Sequence, residues 1–170
     1  YTYLFYTMAN QPNDYLYQLI KSLTKAEKRA FKIYATRNSS PDAKFIKLFD
    51  AIDKVDNYDE EQIIKNLKGV KKRQFSNLKA HLYKQILTSL RLTNINHNLD
   101  IYLREQIDHA RILYNKGLYI QSLRLLDKAK SMAHQNHRHS LEYEILTFER
   151  IIESQYITRS LKNRADELIE

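Results

Sequence analysis

The chain has 170 residues, enough for one domain or two small ones, and it contains only two Gly and two Pro. Because turn-forming residues are so scarce, the composition predicts an all-α fold. There is no Cys, which excludes disulfides and thiol chemistry and is typical of a reducing compartment. No apolar run approaches the roughly 20 residues of a membrane span, so we expect a cytoplasmic protein with no membrane association.

The net charge of +8 is unevenly distributed along the chain. Residues 1–95 hold 17 Lys or Arg against 9 Asp or Glu, whereas residues 96–170 hold 11 of each. No acidic residue lies between Glu61 and Asp100. The two halves are therefore expected to do different work, and any polyanion is expected to bind to the first half.

The first half is predicted to be a basic helical module over residues 12–95. Residues 1–11 are expected to be a disordered or non-native leader, because Met8 resembles a natural start. A short amphipathic segment over residues 14–23 follows. Thr24 and Glu27 then form a capping box, a pattern in which each side chain accepts from the other residue's backbone N–H at a helix start.

Two further helix starts are predicted in this module. Ser40 is a good N-cap, and Pro41 suits the first helical position. Asp59 and Gln62 form a second capping box, which opens a short helix that Gly69 ends. A long helix is predicted next, over residues 72–92, and its apolar face is formed by Phe75, Leu78, Leu82, Ile86 and Leu90.

A loop over residues 94–98 separates the module from a more regular second half. Apolar residues recur there at helical spacing, in stripes that end at polar or glycine-containing segments. The first stripe is Leu103, Ile107, Ala110 and either Leu113 or Tyr114. The second is Tyr119, Leu123, Leu126, Ala129 and Met132, and the third is Leu141, Ile145, Phe148 and Ile152. A truncated fourth lies within residues 161–169. The second half is thus predicted to consist of successive helices.

Gly117 stands between the first two stripes and predicts a tight turn with positive φ. Two helices joined in this way, with small residues at fixed places, resemble a tetratricopeptide repeat over residues 103–136. The residues that carry the resemblance are Ala110, Leu113, Gly117, Tyr119, Ser122, Leu126 and Ala129. The chain departs from the repeat at Gln106, where the family favours Trp, and at His134, where it often has Pro. The resemblance implies stacked helical hairpins over residues 99–170, with a surface for a protein or peptide.

The stretch LTKAEKRAF, residues 23–31, followed by such hairpins also resembles a group of bacterial helical proteins. That second resemblance implies a fold and no function.

No catalytic signature is present in the sequence, and we expect a protein that is not an enzyme and needs no cofactor. There is no phosphate-binding glycine loop and no paired-histidine metalloprotease motif. Glu105 and His109 share a helix face, as a metal-ligand or acid–base pair would, and are interpreted as a solvated or hairpin-facing pair. His134, His137 and His139 lie within six residues, but no carboxylate or thiol lies among them, so they are interpreted as a polar linker and not as a metal site.

The basic stretch over residues 62–92 is the strongest functional signal. A short helix, a break at Gly69 and a basic helix resemble the spacing of a helix-turn-helix, whose second helix enters the major groove of DNA. The candidate polyanion-binding residues are Lys65, Lys68, Lys71, Lys72, Arg73, Lys79 and Lys84. An acidic protein partner is a second interpretation, and a solvated face with no specific role is the third.

From the sequence we therefore expect a non-enzymatic adaptor or scaffold that binds a protein or peptide on a helical-repeat surface. The alternative is a transcriptional regulator with a DNA-binding module over residues 12–95 and a sensor or oligomerisation part over residues 99–170. The sequence does not define the oligomeric state.

Overall fold

The computed structural model describes residues 15–38, 40, 43–67 and 72–167, with side chains described as far as residue 156 except that of Asn38. Every described residue lies in an α-helix or in a segment that joins helices, so the fold is all-α, as predicted. The expected leader over residues 1–11 lies outside the described residues, as does Gly69 itself. The prediction that Gly69 ends the short helix is wrong, because that helix ends at Asn66 with Leu67 as its C-cap in extended conformation.

The chain divides into two compact units, residues 1–94 and residues 95–170, and the division falls in the loop predicted at residues 94–98. The described helices of unit 1 are α1 (Tyr15–Ser22), α2 (Lys25–Asn38), α3 (Lys44–Lys54), α4 (Glu60–Asn66) and α5 (Lys72–Asn94). Those of unit 2 are α6 (Leu99–Asn115), α7 (Tyr119–Gln135) and α8 (His139–Glu167).

Side-chain caps fix the start of three of these helices. At α2 the backbone N–H of Thr24 donates to Glu27 Oε2 at 2.8 Å and that of Glu27 donates to Thr24 Oγ1 at 3.2 Å, which confirms the predicted capping box. At α4, Asp59 Oδ1 accepts from the N–H groups of Glu61 and Gln62. Asn98 caps α6 in the same way, a role that the sequence interpretation missed.

The predicted start of α3 is wrong. Ser40 is not the N-cap, because Ala43 holds that position and the helix begins at Lys44. The N–H of Ala43 donates to the carbonyl oxygen of Ser40 at 2.9 Å. The backbone therefore makes a turn before the helix starts, and Pro41 lies outside the described residues.

The core of unit 1 is built around the long helix α5, which packs against both α2 and α3. α3 also contacts α1 and α4. Phe31 of α2 and Phe49 of α3 are fully buried, with their ring centroids 4.6 Å apart. On α5 the predicted face is confirmed, since Phe75, Leu82 and Ile86 are buried and Leu78 and Leu90 pack against the same core.

Unit 2 consists of a helical hairpin and a third helix around one core. α7 packs against both α6 and α8, and α6 also contacts α8. The first three predicted stripes all supply this core, including Leu103, Leu126 and Ile145, which are fully buried. α6 and α8 are further joined where the Arg111 guanidinium lies 4.3 Å from the centre of the Phe148 ring and where Tyr114 and Gln155 form a hydrogen bond.

A buried charge pair joins α7 to α8. Lys130 Nζ donates to both carboxylate oxygens of Glu149, at 3.0 and 2.9 Å. Glu149 is buried, whereas Lys130 remains partly exposed. The hydrogen bond to Glu149 raises the pKa of Lys130 and outweighs the opposing effect of desolvation.

The turns that end α6 and α7 have the same backbone geometry at positions twenty residues apart. In the first turn the N–H of Leu118 donates to Leu113 O at 3.0 Å, and in the second the N–H of Arg138 donates to Ala133 O at 2.8 Å. These are the bonds of a Schellman motif, which needs one residue in the left-handed region. Gly117 fills that place with φ +77°, as predicted, and His137 fills it in the second turn with φ +56°.

The expected fourth helix is not separate. α8 runs without interruption from His139 to Glu167, so the third and fourth stripes lie on one helix of 29 residues. Residues 153–160 contain no Gly or Pro, and nothing in the sequence between the stripes ends a helix. The linker expected over residues 134–139 is also shorter than predicted, because α7 continues to Gln135 and α8 begins at His139.

Candidate interaction surfaces

The residues that resemble a tetratricopeptide repeat are brought together in the α6–α7 hairpin. Ala110, Ser122, Leu126 and Ala129 are buried, and Leu113 and Tyr119 are partly buried. Ser122 Oγ donates to the Ala110 carbonyl oxygen at 2.7 Å, a bond between the two helices that the sequence interpretation missed. Small side chains at these places let the helices approach closely, and Ala133, which carried no prediction, belongs to the same set.

Of the candidate polyanion-binding residues that the structure describes, all but Lys79 are exposed. Lys65 on α4 and Lys72, Arg73 and Lys84 on α5 are exposed. Lys68 and Lys71 lie outside the described residues. Lys79 is 3% exposed, so a polyanion cannot reach it, and the prediction for this residue needs correction.

Lys79 is instead part of the joint between α4 and α5. Its Nζ donates to Glu60 Oε2 at 2.9 Å and lies 3.4 Å from the Tyr58 hydroxyl oxygen. The ammonium also lies 5.4 Å from the centre of the Phe75 ring. A buried lysine is tolerated in such an environment, because the ammonium charge is paired with a carboxylate and faces aromatic rings. The sequence does not distinguish Lys79 from the other lysines of α5, which are exposed, so it gives no sign of this buried role.

The exposed side of α5 is nevertheless electrostatically positive. The His81 imidazole lies edge-on to Phe45, with 5.0 Å between ring centroids. Partial burial lowers the pKa of His81, and the nearby charge of Lys84 lowers it further. α5 itself contains no acidic residue, and Lys72 and Arg73 are exposed at its start.

The histidine segment includes a carboxylate that the sequence interpretation overlooked. Glu142, one turn into α8, lies 2.8 Å from His134 Nδ1 and 3.5 Å from His139 Nδ1. The hydrogen bond with His134 is the main reason that the pKa of Glu142 is lowered. Glu142 follows His139 by three residues, so the helical i, i+3 spacing was the signal that could have found it.

Within the described part of the chain, no group of three or more His, Cys, Asp or Glu residues is arranged to hold a metal ion. The other pair considered from the sequence, Glu105 and His109, lies on α6, where Glu105 is partly buried and His109 is exposed. Over the same described residues, no helix combines the length and the apolar character needed to cross a membrane.

The outward face of α8 carries large apolar side chains that the core does not use. Tyr143 is 74% exposed, Leu146 is 41% exposed and Ile151 is 46% exposed. Tyr143 and Leu146 lie on the side of the helix away from Leu141, Ile145 and Ile152, which fill the core of unit 2, and Ile151 lies about a quarter turn from that core stripe. Arg150 lies among them, and a shallow cavity on this face is lined by Thr147, Arg150, Ile151 and Ser154. We call Tyr143, Leu146, Thr147, Arg150 and Ile151 the outward face of α8.

The sequence could have revealed this face, because the third stripe does not account for all apolar residues of the segment. A one-sided amphipathic helix places charged residues opposite its core stripe. In α8, Tyr143 and Leu146 stand in those places instead.

No protein-family model, curated protein or solved structure matches the chain.

Proposed function

We propose that the protein is a non-enzymatic adaptor or scaffold that binds a segment of another protein on a helical-repeat surface in unit 2. The α6–α7 hairpin followed by α8, with one shared core, has the order of elements expected of stacked hairpins. The tight Gly117 turn and the small residues between α6 and α7 support a tetratricopeptide-like arrangement. The hairpin is longer than in that family, because α6 and α8 begin 40 residues apart, against a repeat of about 34.

The outward face of α8 is the observation that carries this proposal. Scattered exposed apolar residues are ordinary, but Tyr143, Leu146 and Ile151 share one side of one helix. Burying them against another protein would remove apolar surface from water, and the Arg150 guanidinium could orient the partner through a carboxylate. The surface suits an amphipathic helix that lies across the outward face of α8, with its apolar residues against Tyr143, Leu146 and Ile151.

A peptide-library selection on the purified chain tests the proposal. Random peptides of about 20 residues should yield amphipathic helices, whose binding is then measured by fluorescence anisotropy. Tyr143→Asp and Ile151→Asp should each weaken the selected peptides by about tenfold or more, as expected when an apolar anchor is removed from an interface. Lys128→Asp, on the exposed side of α7, is the matched control. Selected peptides that bind all three variants equally well would refute this role for α8.

A transcriptional regulator is the second candidate, and the positive side of α5 is the observation that favours it. Lys72 and Arg73 are exposed at the start of the helix, where a helix-turn-helix protein contacts DNA. The extensive packing of α5 against α2 and α3 favours a mainly structural helix. We therefore place this candidate second.

A further inference from the structure

A strip of exposed side chains runs along α2 on the side away from the core of unit 1. Phe31 and Ala35 of this helix are buried in that core. Arg29, Ile33 and Arg37 are exposed and follow one another at intervals of four residues. Because side chains four residues apart are neighbours on a helix surface, these three form a continuous line. We call them the basic strip of α2.

The positive charge of this strip is not neutralised by neighbouring carboxylates. The one acidic residue of α2 is Glu27, whose carboxylate is engaged at the start of the helix. Lys32 on the same helix is paired with Asp50 of α3 at 2.7 Å. Among the described residues, by contrast, no ion pair or side-chain hydrogen bond engages Arg29 or Arg37. Both guanidinium groups are therefore available to a ligand.

An apolar side chain separates the two arginines. Ile33 is 47% exposed, and Arg29 and Arg37 lie about one helical turn on either side of it. The backbones of the two arginines are about 12 Å apart along the axis, since each residue advances the helix by about 1.5 Å. A nucleic-acid backbone would neutralise the arginines but would leave Ile33 without an apolar contact. A helix with two carboxylates that flank an apolar residue complements all three side chains.

We propose that the basic strip of α2 binds an acidic amphipathic helix of a partner protein. One carboxylate of that helix would accept paired hydrogen bonds from Arg29, and a second carboxylate, about two turns away, would accept them from Arg37. An apolar residue between them would cover Ile33. Charge complementarity selects the partner and speeds association. The strip belongs to unit 1, so the proposal is independent of the outward face of α8 in unit 2.

The test uses the full chain and a labelled helical peptide of about 15 leucine, alanine and glutamate residues. Two glutamates stand about seven positions apart on one face, with leucine between them on the same face. Fluorescence anisotropy at physiological salt should give saturable binding. A peptide of the same composition, with its two glutamates on opposite faces of the helix, should bind about tenfold more weakly.

Substitutions then locate the peptide on the strip. Arg29→Glu with Arg37→Glu should weaken binding by about tenfold or more, and Ile33→Gln should weaken it by about fivefold. The matched control, Lys65→Glu with Lys128→Glu, makes the same change in net charge at exposed positions of α4 and α7 and should leave the Kd within about twofold. Arg29→Gln with Arg37→Gln should also weaken binding and replaces the charge reversal if that variant fails to fold.

The absence of saturable binding of the acidic peptide would overturn the proposal. Equal weakening by the control variant would also overturn it, because the peptide would then respond only to net charge. An unchanged Kd for Ile33→Gln would remove the apolar contact on which the choice of partner rests.

Two further measurements separate the strip from other binding modes. A random DNA duplex should bind more weakly than the peptide, and tighter duplex binding that is lost in the arginine variant would make the strip a nucleic-acid surface and overturn the proposal. Tyr143→Asp should leave the Kd of the acidic peptide unchanged. Loss of binding in that variant would place the peptide on the outward face of α8 and would equally overturn the proposal.

Discussion

Gly117 and His137 occupy equivalent places in successive turns, yet they meet the same backbone requirement at different cost. Both have positive φ and both sit where a Schellman motif ends a helix. Glycine adopts that conformation freely, whereas histidine carries a Cβ and is strained there, although less than a β-branched residue would be. The first turn was predictable from its glycine. The second was not, because the residue that adopts the left-handed conformation is not one that usually does.

Gly117→Ala is expected to lower the free energy of unfolding by about 1 kcal/mol. Within the described part of the chain, and apart from the neighbouring residues 116 and 118, no heavy atom lies within 4 Å of the place where a Cβ would stand, so the cost comes from the backbone conformation and not from a clash. Urea titration followed by circular dichroism measures it. In His137→Gly, relief of strain is offset by a gain in unfolded-chain entropy of about 0.4 to 1 kcal/mol, so stability should change less. An unchanged midpoint for Gly117→Ala would contradict the turn geometry.

The Glu142 carboxylate should make stability depend on pH in the acid range. Because its pKa is lowered in the folded protein, the ionised form is favoured by folding. This contribution is present above the ordinary pKa of 4.5 and is lost as pH falls through the lower folded value. The carboxyl pKa places this loss between about pH 5 and pH 3. Over that range, the free energy of unfolding of Glu142→Gln, measured by urea titration, should therefore fall less than that of the parent. Glu153→Gln, at an exposed position of the same helix, is the control and should show the same dependence of unfolding free energy on pH as the parent. The same dependence in all three proteins would contradict the role assigned to Glu142.

At the scale of helices, periodicity predicted most of what the structure contains, because each core face follows from apolar residues three or four apart. The extent of α5, the hairpin α6–α7 and the buried stripe of α8 were all accessible in this way. Contacts between helices were not, since Lys79 with Glu60 and Ser122 with Ala110 depend on which faces meet in three dimensions.

The close approach of α6 and α7 should make their interface intolerant of larger side chains. Ala129→Leu is expected to cost about 1 to 3 kcal/mol in free energy of unfolding, because the added methylenes have no space in a packed core. Ser122→Ala should cost about 1 kcal/mol, the contribution of the bond to the Ala110 carbonyl. Lys128→Leu, one position from Ala129 but exposed, should change stability by less than about 0.5 kcal/mol. Equal melting temperatures for Ala129→Leu and Lys128→Leu would contradict this packing.

Removing the partner of the buried Lys79 should lower the stability of the protein more than removing the charge of Lys79 itself. Glu60→Gln removes the negative charge beside a buried ammonium and is expected to lower the free energy of unfolding by about 1 to 3 kcal/mol. Lys79→Met keeps the aliphatic packing and removes the charge, so it should be nearly neutral. Thermal melts at neutral pH compare the two variants. A larger loss for Lys79→Met than for Glu60→Gln would show that the ion pair itself stabilises the joint.

At the scale of the whole molecule, the net charge and the outward face of α8 belong to different units. The net charge of +8 belongs to residues 1–95, and the outward face of α8 belongs to the half with no net charge. Composition predicted the first of these features directly. The second required the structure, because only the packing of α8 reveals which of its apolar residues remain exposed.

The charge distribution predicts weak, sequence-independent binding to DNA. Fluorescence anisotropy with a random duplex should give a Kd on the order of 10⁻⁵ M at physiological salt. In Lys72→Gln with Arg73→Gln, the slope of the logarithm of the binding constant against the logarithm of salt concentration should become shallower by about one unit for each phosphate that the variant no longer neutralises. Recovery of a single enriched motif bound at nanomolar strength would instead promote the transcriptional regulator to the first candidate.

The central claim is that a partner helix binds on the outward face of α8, and methyl NMR with a library-selected peptide tests it most directly. On titration, the methyl resonances of Leu146 and Ile151 should shift and saturate together at the Kd found by anisotropy. Those of Leu103, in the core, and of Ile33, which is exposed on α2, should stay in place. Saturable binding that moves other methyl groups and leaves Leu146 and Ile151 unchanged would contradict the claim.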